Sequence, residues 1–429
     1  MKKMLCMLFS ALVSIMASAQ EGVWSGELEV QGMKLPLVFH FSENGCTMDS
    51  PSQGAKGIKA EKSYTPEGKL KIDIPAIHAT FEGVMVMKMI TGTFMQGGAS
   101  LPLMLKPGTV APKRPQTPKA PFPYTTEEVT FQNGEFTLSG TLTLPDKATR
   151  QTPVAVMVTG SGQQNRDEEI MDHRPFAVIA DALARHGIAT LRFDDRGYEI
   201  LGFPYLEYTV ADHKMDAEAA VALLRKKFVH VGVIGHSEGG TIGLMLASEG
   251  KIDFCISLAG MAVSGKECLL QQNRMLLGSL PQEVADAYCE VLHRVYDDVT
   301  AGKSVELADD SLLPESLKEN FKIVLSMLST PYMRDFLTVD VREALPKVKC
   351  PVLAMNGKKD MQVDCEANLE AIDRGLANSP HEVVAYDDLN HLFQHCQTGM
   401  VFEYANIEET ISEDVLKAMI EWMQGIKSW

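Results

Sequence analysis

The residues best placed to do chemistry are Gly235-His236-Ser237-Glu238-Gly239, the one Gly-x-Ser-x-Gly of the chain, followed by Gly240. An apolar run, Val231 to Gly235, enters it and a helical stretch, Gly239 to Ser248, leaves it. A serine hydroxyl is a weak nucleophile. A sharp strand-to-helix turn presents it to a base, and small residues on both sides let the backbone bend. The helix start behind it supplies N–H donors for developing negative charge. The alternative is a chance match in a glycine-rich turn, and the strand–turn–helix placement argues against that. Such a serine needs a base, and the base an orienting acid. On this kind of turn the acid and then the histidine follow the serine in the chain. Asp360 lies in the loop after the strand Val352 to Met355, and His391 follows the strand Glu382 to Tyr386 in Leu389-Asn390-His391. Asp364, Asp387 and Asp388 remain alternatives for the acid, and His381 and His395 for the base. The oxyanion formed on attack needs two N–H donors. Glu238, next to the nucleophile, supplies one; Ser161 in Thr159-Gly160-Ser161-Gly162 supplies the other, with Gly162 the alternative. This chemistry calls for no metal and no cofactor.

The elements that must position these residues alternate. Strand patterns at Val154–Thr159, Ile188–Phe193, Val231–Gly235 and Phe254–Leu258 are separated by helical stretches at Pro175–His186, Val210–Lys227 and Gly239–Ser248. The alternation resumes with Val352–Met355, a helix over Glu366–Leu376, Glu382–Tyr386 and a last helix near Glu413–Gln424. This is the pattern of a mostly parallel sheet covered by helices on both faces. A hairpin with Asn133-Gly134 at its turn precedes it. Between about 263 and 345 the pattern is helical and Met/Leu-rich with no strand run, which reads as a helical cap inserted between two strands. Its Met275, Leu276, Leu277, Met327, Leu328, Met333 and Phe336 are candidates for an acyl pocket, or else the cap's own core.

Residues 20–105 read differently. Leu35, Leu37, Phe39 and Phe41 share one face at period two, as do Trp24, Gly26, Leu28 and Val30, and Asn44-Gly45 is a turn signal. Short runs follow at Lys69–Ile74, Ala79–Met85, Ile90–Phe94 and Leu101–Leu105, so a small antiparallel sheet or barrel is expected. Residues 106–123 are dense in proline and predict a semi-rigid linker. The catalytic domain then spans 124–429. At the other end, Lys2-Lys3, an apolar Met4–Ala17 and Ala17-Ser18-Ala19 have the form of an export signal over 1–19, which places the mature protein in a bacterial periplasm or outside the cell. The run is short for a membrane span, and no other run is long enough for one. Lys+Arg 40 against Asp+Glu 56 gives a net charge of −16. That acidity argues against a nucleic-acid partner and against attraction to anionic lipid. The seven cysteines beyond Cys6 show neither CxxC nor zinc spacing.

Taken in order, Thr159-Gly160-Ser161-Gly162, Asp167, Arg192 to Gly197, Gly235 to Gly240, Gly357 to Asp360 and Leu389-Asn390-His391 resemble the α/β-hydrolase superfamily. Within it the chain looks like the exported bacterial serine esterases related to prolyl-oligopeptidase-like and acyl-ester hydrolases. The resemblance covers about Tyr124 to the C-terminus. Thr159 departs from the histidine many relatives carry there, and Asp195-Arg196-Gly197 is similar to a loop that packs and pairs ions. The resemblance implies an α/β-hydrolase fold and hydrolysis of a small-molecule carboxylic ester by Ser237, Asp360 and His391. A peptidase with the same triad is the alternative; it needs a carboxylate to grip a substrate amine, for which Glu168, Glu169 and Glu199 are available. A third reading, an inert hydrolase fold that serves as a binding protein, is opposed by the intact triad.

Overall fold

A computed structural model describes residues 21–426 apart from 31–32, 43–44, 54, 109–113, 279, 306–309 and 312. The export signal expected over 1–19 and Asn44 of the first expected turn lie outside the described residues. The chain divides into two compact units, the first built on the N-terminal strands, the second starting at Arg114.

The first unit is a closed antiparallel barrel of β1 (Gly22–Val30), β2 (Met33–Ser42), β3 (Gly45–Ser50), β4 (Ala55–Tyr64), β5 (Leu70–Ile74), β6 (Ala79–Val86), β7 (Met89–Gln96) and β8 (Ala99–Pro107). Pairing of Trp24 with Pro107 and Ser25 with Lys106 closes it. The period-two faces expected from sequence point inward: Trp24, Leu28, Leu37, Phe39 and Phe41 are buried with Met48, Ile72, Phe81 and Leu105. Side chains therefore fill the interior, as in other small barrels. Strands β3 and β4 were not among the expected runs. In β4 only Ala60 is buried and the strand is studded with lysine and glutamate, so it shows no apolar alternation.

In the second unit, β9 (Thr125–Asn133) and β10 (Phe136–Leu144) form the expected hairpin, with Gly134 at φ 57 in its turn. The strands β11 (Val154–Val158), β12 (Ala189–Phe193), β13 (Val231–His236), β14 (Cys255–Leu258), β15 (Val352–Gly357) and β16 (His381–Tyr386) complete an eight-stranded sheet in the order β16-β15-β14-β13-β11-β12-β10-β9. From β12 to β16 every pairing is parallel. Alternate residues feed two cores. Val154, Val156, Val231 and Val233 meet helices α2 (Val210–Arg225), α3 (Glu238–Ser248) and α8 (Cys365–Gly375). Ala155, Met157, Ile234 and Ile256 meet α1 (Pro175–Arg185) and α9 (Glu413–Gly425). Both faces are covered, which is why the central strands are continuous apolar runs.

The described residues between β14 and β15 are helical: α4 (Gly265–Leu276), α5 (Gln282–Thr300), α6 (Glu315–Leu328) and α7 (Pro331–Thr338). Ser264 and Glu267 cap α4 reciprocally, and Thr330 caps α7 with Pro331 in its first turn. Val291, Leu292, Val295, Tyr296, Phe321 and Leu328 form a core of their own. Of the candidate acyl-pocket residues, Leu328 and Phe336 are buried, Leu277 and Met333 pack against that core, and Leu276 and Met327 are exposed. Among the described residues no helix is long and apolar enough to cross a membrane.

Part of the expected linker 106–123 is tied down. Pro107 is still in β8, and Gln116 gives its amide N–H to Ile411 O (2.8 Å) while its carbonyl accepts from Thr410 N (2.6 Å). Prolines remove ladder donors but leave a neighbouring amide side chain free to satisfy another loop. All seven described cysteines are free thiols, and burial pushes Cys46, Cys268 and Cys365 up to about 12, so they pack rather than react.

Arg196, in the turn after β12, is 3% exposed and makes a two-point pair with Asp216 of α2 at 2.7 and 2.9 Å. Its guanidinium lies 4.8 Å from the rings of both Phe136 and Tyr208, and Asn133 adds a bond to Asp216 at 2.7 Å. This lock joins β9, β12 and α2. Asp216→Ala leaves the buried guanidinium with only the longer Asp212 carboxylate contact (3.7 Å) and the Asp212 carbonyl (2.8 Å), and is expected to cost about 3 kcal/mol in urea unfolding.

Candidate active site

Ser237 sits between β13 and α3 at φ 53, ψ −120. A non-glycine residue holds that conformation only when its surroundings enforce it. Here Ser237 N donates to Leu258 O at 2.8 Å, and Gly240 N donates to Ser237 O at 2.9 Å. The flanking glycines are required by contact rather than by φ. A Cβ on Gly235 would lie 2.0 Å from Gly239 O, and one on Gly239 would lie 2.0 Å from Val158 O. The elbow thus packs directly on itself and on the end of β11.

Asp360 and His391 meet as the spacing predicts. His391 Nδ1 lies 2.6 Å from Asp360 Oδ2, with side chains 5% and 0% exposed. Asp360 Oδ1 accepts from the backbone N–H of Gln362 (2.7 Å) and Val363 (2.9 Å), so the carboxylate is fixed before the histidine arrives. With Nδ1–H committed to the carboxylate, His391 Nε2 is left with a lone pair. The two loops approach so closely that a Cβ on Gly357 would lie 2.1 Å from Leu389 O. A buried amide pair holds the histidine loop: Asn390 Nδ2 donates to Gln394 Oε1 (3.0 Å), and Asn390 Oδ1 accepts from Leu392 N and Gln394 N (3.0 Å each).

The alternatives are engaged elsewhere. Asp364 caps α8, Asp387 and Asp388 pair with Lys358 and Lys359, His381 pairs with Asp373, and His395 with Glu409.

The loop after β11 abuts the serine: a Cβ on Gly160 would lie 3.1 Å from Ser237 Cβ. Gly160 N–H is taken by Glu168 Oε1 at 2.8 Å. The N–H groups of Ser161 and Glu238 have no acceptor among the described residues, so both remain able to receive an oxyanion. The Glu238 side chain does something the sequence did not disclose. It is 4% exposed and accepts from Tyr332 Oη of α7, faces His213 Nδ1 at 3.1 Å, and takes a long bond from Ser161 Oγ at 3.4 Å. Burial and the neighbouring carboxylate push the Tyr332 phenol well up, so it stays a donor. Asp195 supports the same loop, accepting from Thr159 Oγ1 (2.9 Å) and Gln164 N (2.7 Å).

Two of the three carboxylates considered for an amine grip are occupied. Glu168 holds Gly160 N–H and lies 2.9 Å from His236 Nδ1; Glu169 pairs with Arg174 at 3.0 Å; Glu199 is exposed. His236, Asn390 and Tyr332 were not identified as site residues from sequence, and Glu168 was considered only as an amine grip. Only His236, inside the Gly-x-Ser-x-Gly, carried a positional signal.

Esterase EstD of Thermotoga maritima is 26% identical over 260 residues, which is 59% of this chain and 58% of that protein. The chain therefore spans less than two thirds of that relative's length. The solved structure of Est1E from Butyrivibrio proteoclasticus is 17% identical with a TM-score of 0.42, over 69% of this chain and 97% of that one. An esterase structure from Pyrococcus furiosus is 17% identical with a TM-score of 0.44, over 74% and 98%. The sequence profile described as the alpha/beta hydrolase family matches residues 107–399, more than half of the chain, and the protein belongs to that family.

Proposed function

We propose that this protein is a serine carboxylesterase that works through an acyl-enzyme. The observation that carries the reading is the strained Ser237 elbow set in the same unit as a buried Asp360–His391 pair whose free nitrogen is a base. Ser237 Oγ attacks the ester carbonyl as His391 Nε2 takes its proton, and the carbonyl electrons move onto oxygen. The Ser161 and Glu238 N–H groups receive that oxyanion. Collapse expels the alkoxide, which takes the proton back from His391 and leaves as an alcohol. Water then repeats the sequence on the acyl-enzyme, releasing the acid and restoring Ser237. Asp360 keeps Nδ1 protonated and stabilises the imidazolium.

Esters are favoured over peptides because Glu168 and Glu169 are spent on structural contacts, and because a relative at 26% identity is named an esterase. The helical segment α4–α7 is the proposed cap over the acyl side of the site, reached through Tyr332. The N-terminal export pattern adds a location outside the cytoplasm; Edman sequencing of protein secreted by a bacterial host would then begin at Gln20.

The test is kcat/KM on nitrophenyl esters of graded acyl length and on aminoacyl nitroanilides. Esters should turn over and anilides should not; comparable anilide cleavage would move the assignment to a peptidase. Ser237→Ala should lower ester turnover by about 10⁶-fold, and activity surviving that change overturns the triad.

Asp360→Asn should cost about 10⁴ in kcat with little change in thermal stability. Its Oδ1 still accepts from Gln362 N and Val363 N, while its NH₂ faces His391 Nδ1 and forces the wrong tautomer. A near-normal kcat in this variant would place the orienting acid elsewhere.

A further inference from the structure

Three loops converge on Ser237: the oxyanion loop after β11, the elbow after β13 and the histidine loop after β16. One buried pair touches all three. Glu168 Oε1 accepts from Gly160 N (2.8 Å) and lies 2.9 Å from His236 Nδ1. His236 Nε2 lies 2.8 Å from the backbone oxygen of His391. Glu168 is 3% and His236 6% exposed. Glu168 holds φ 53, a costly conformation for a non-glycine residue, which the surrounding contacts enforce.

We propose that Glu168 and His236 are positioning residues that set the oxyanion loop and the catalytic histidine in register around Ser237. This rests on the esterase reading and adds two residues to its machinery. A carbonyl oxygen only accepts, so His236 Nε2 carries a proton. Glu168 Oε1 already accepts from Gly160, and a second donor, His236 Nδ1–H, completes it. The pair is then a buried imidazolium–carboxylate. Burial opposes charge on His236, but Glu168, together with the His391 carbonyl, outweighs it and raises its pKa. The titratable groups facing His236 are Glu168, Asp360 and His391. By occupying Gly160 N–H, Glu168 leaves the following N–H, that of Ser161, as the one available for the oxyanion. By holding the His391 carbonyl, His236 fixes the backbone from which the catalytic imidazole projects.

The pair also packs beside the catalytic ring. The His236 and His391 rings are 4.6 Å apart, centroid to centroid.

The experiment compares His236→Gln, His236→Asn and Glu168→Gln in the full chain. Glutamine places an amide nitrogen near the position of Nε2 and keeps the bond to His391 O; asparagine places one near Nδ1 and keeps only the arm to Glu168. We expect kcat to fall about 10²-fold in His236→Asn with KM little changed, and partial rescue in His236→Gln. Glu168→Gln keeps an acceptor for Gly160 and removes the charge partner, so it tests the pair if the His236 variants fail to fold. The rate at which a fluorophosphonate modifies Ser237 is read in parallel, because it reports the same geometry when no ester is turned over. Wild-type inactivity on esters with a variant-sensitive phosphonate rate would sink the esterase reading and keep the pair. Unchanged kcat and an unchanged phosphonate rate in folded variants would refute the pair while leaving the esterase intact.

Discussion

The second unit is organised by one backbone constraint: Ser237 must hold a positive φ at the junction of β13 and α3. Nothing in a serine side chain favours that conformation, so its cost is met by the packing around it. Gly235 and Gly239 fold against each other with no room for a Cβ, Gly239 presses on Val158 O, and Leu258 O takes the Ser237 N–H. Each contact needs β13 between β11 and β14, which is where the parallel sheet places it. The sheet is in turn held by apolar residues buried on both faces. The strain is therefore bought by the core.

The same logic sets the polar groups. A carboxylate inside a protein is tolerable only when its oxygens are satisfied. Asp360 meets this with two backbone N–H groups on one oxygen and His391 on the other. The histidine then has only one productive tautomer, and its loop is braced from behind by Asn390 and Gln394. Orientation is thus built in before any substrate binds, which is where most of the advantage of a positioned base lies.

Much of this was legible in the sequence, and the reason is local. The Gly-x-Ser-x-Gly is a short-range signal because elbow geometry demands its glycines. Asp360 and His391 were readable because alternating strands and helices put successive strand ends on one edge. The barrel strands with a filled inner face, Trp24 to Val30 and Leu35 to Phe41, were readable for the same period-two reason. What escaped was either polar and exposed or long-range. β4 has one buried residue and no alternation, so nothing in it distinguishes a strand from a loop. Glu168 and His236 are 68 positions apart, and Tyr332 lies 94 beyond Glu238. A buried carboxylate in a sequence looks the same as the many solvated ones until its partners are known.

Glu238 shows how far such a hidden partner reaches. In the proposed mechanism its N–H receives the oxyanion, while its own carboxylate, buried only one side chain away, would repel that charge. The protein resolves the conflict by enclosing the carboxylate. Tyr332 and Ser161 donate to one oxygen, and His213, stacked on Tyr205 at 4.7 Å, faces the other. Two of these groups come from the main body of the fold around α2 and one from α7. The helical segment therefore contributes, through Tyr332, to the electrostatics around Glu238. Displacing α7 would remove one of the donors that enclose that carboxylate. The enclosure of Glu238 is complete only when Tyr332 is seated against it.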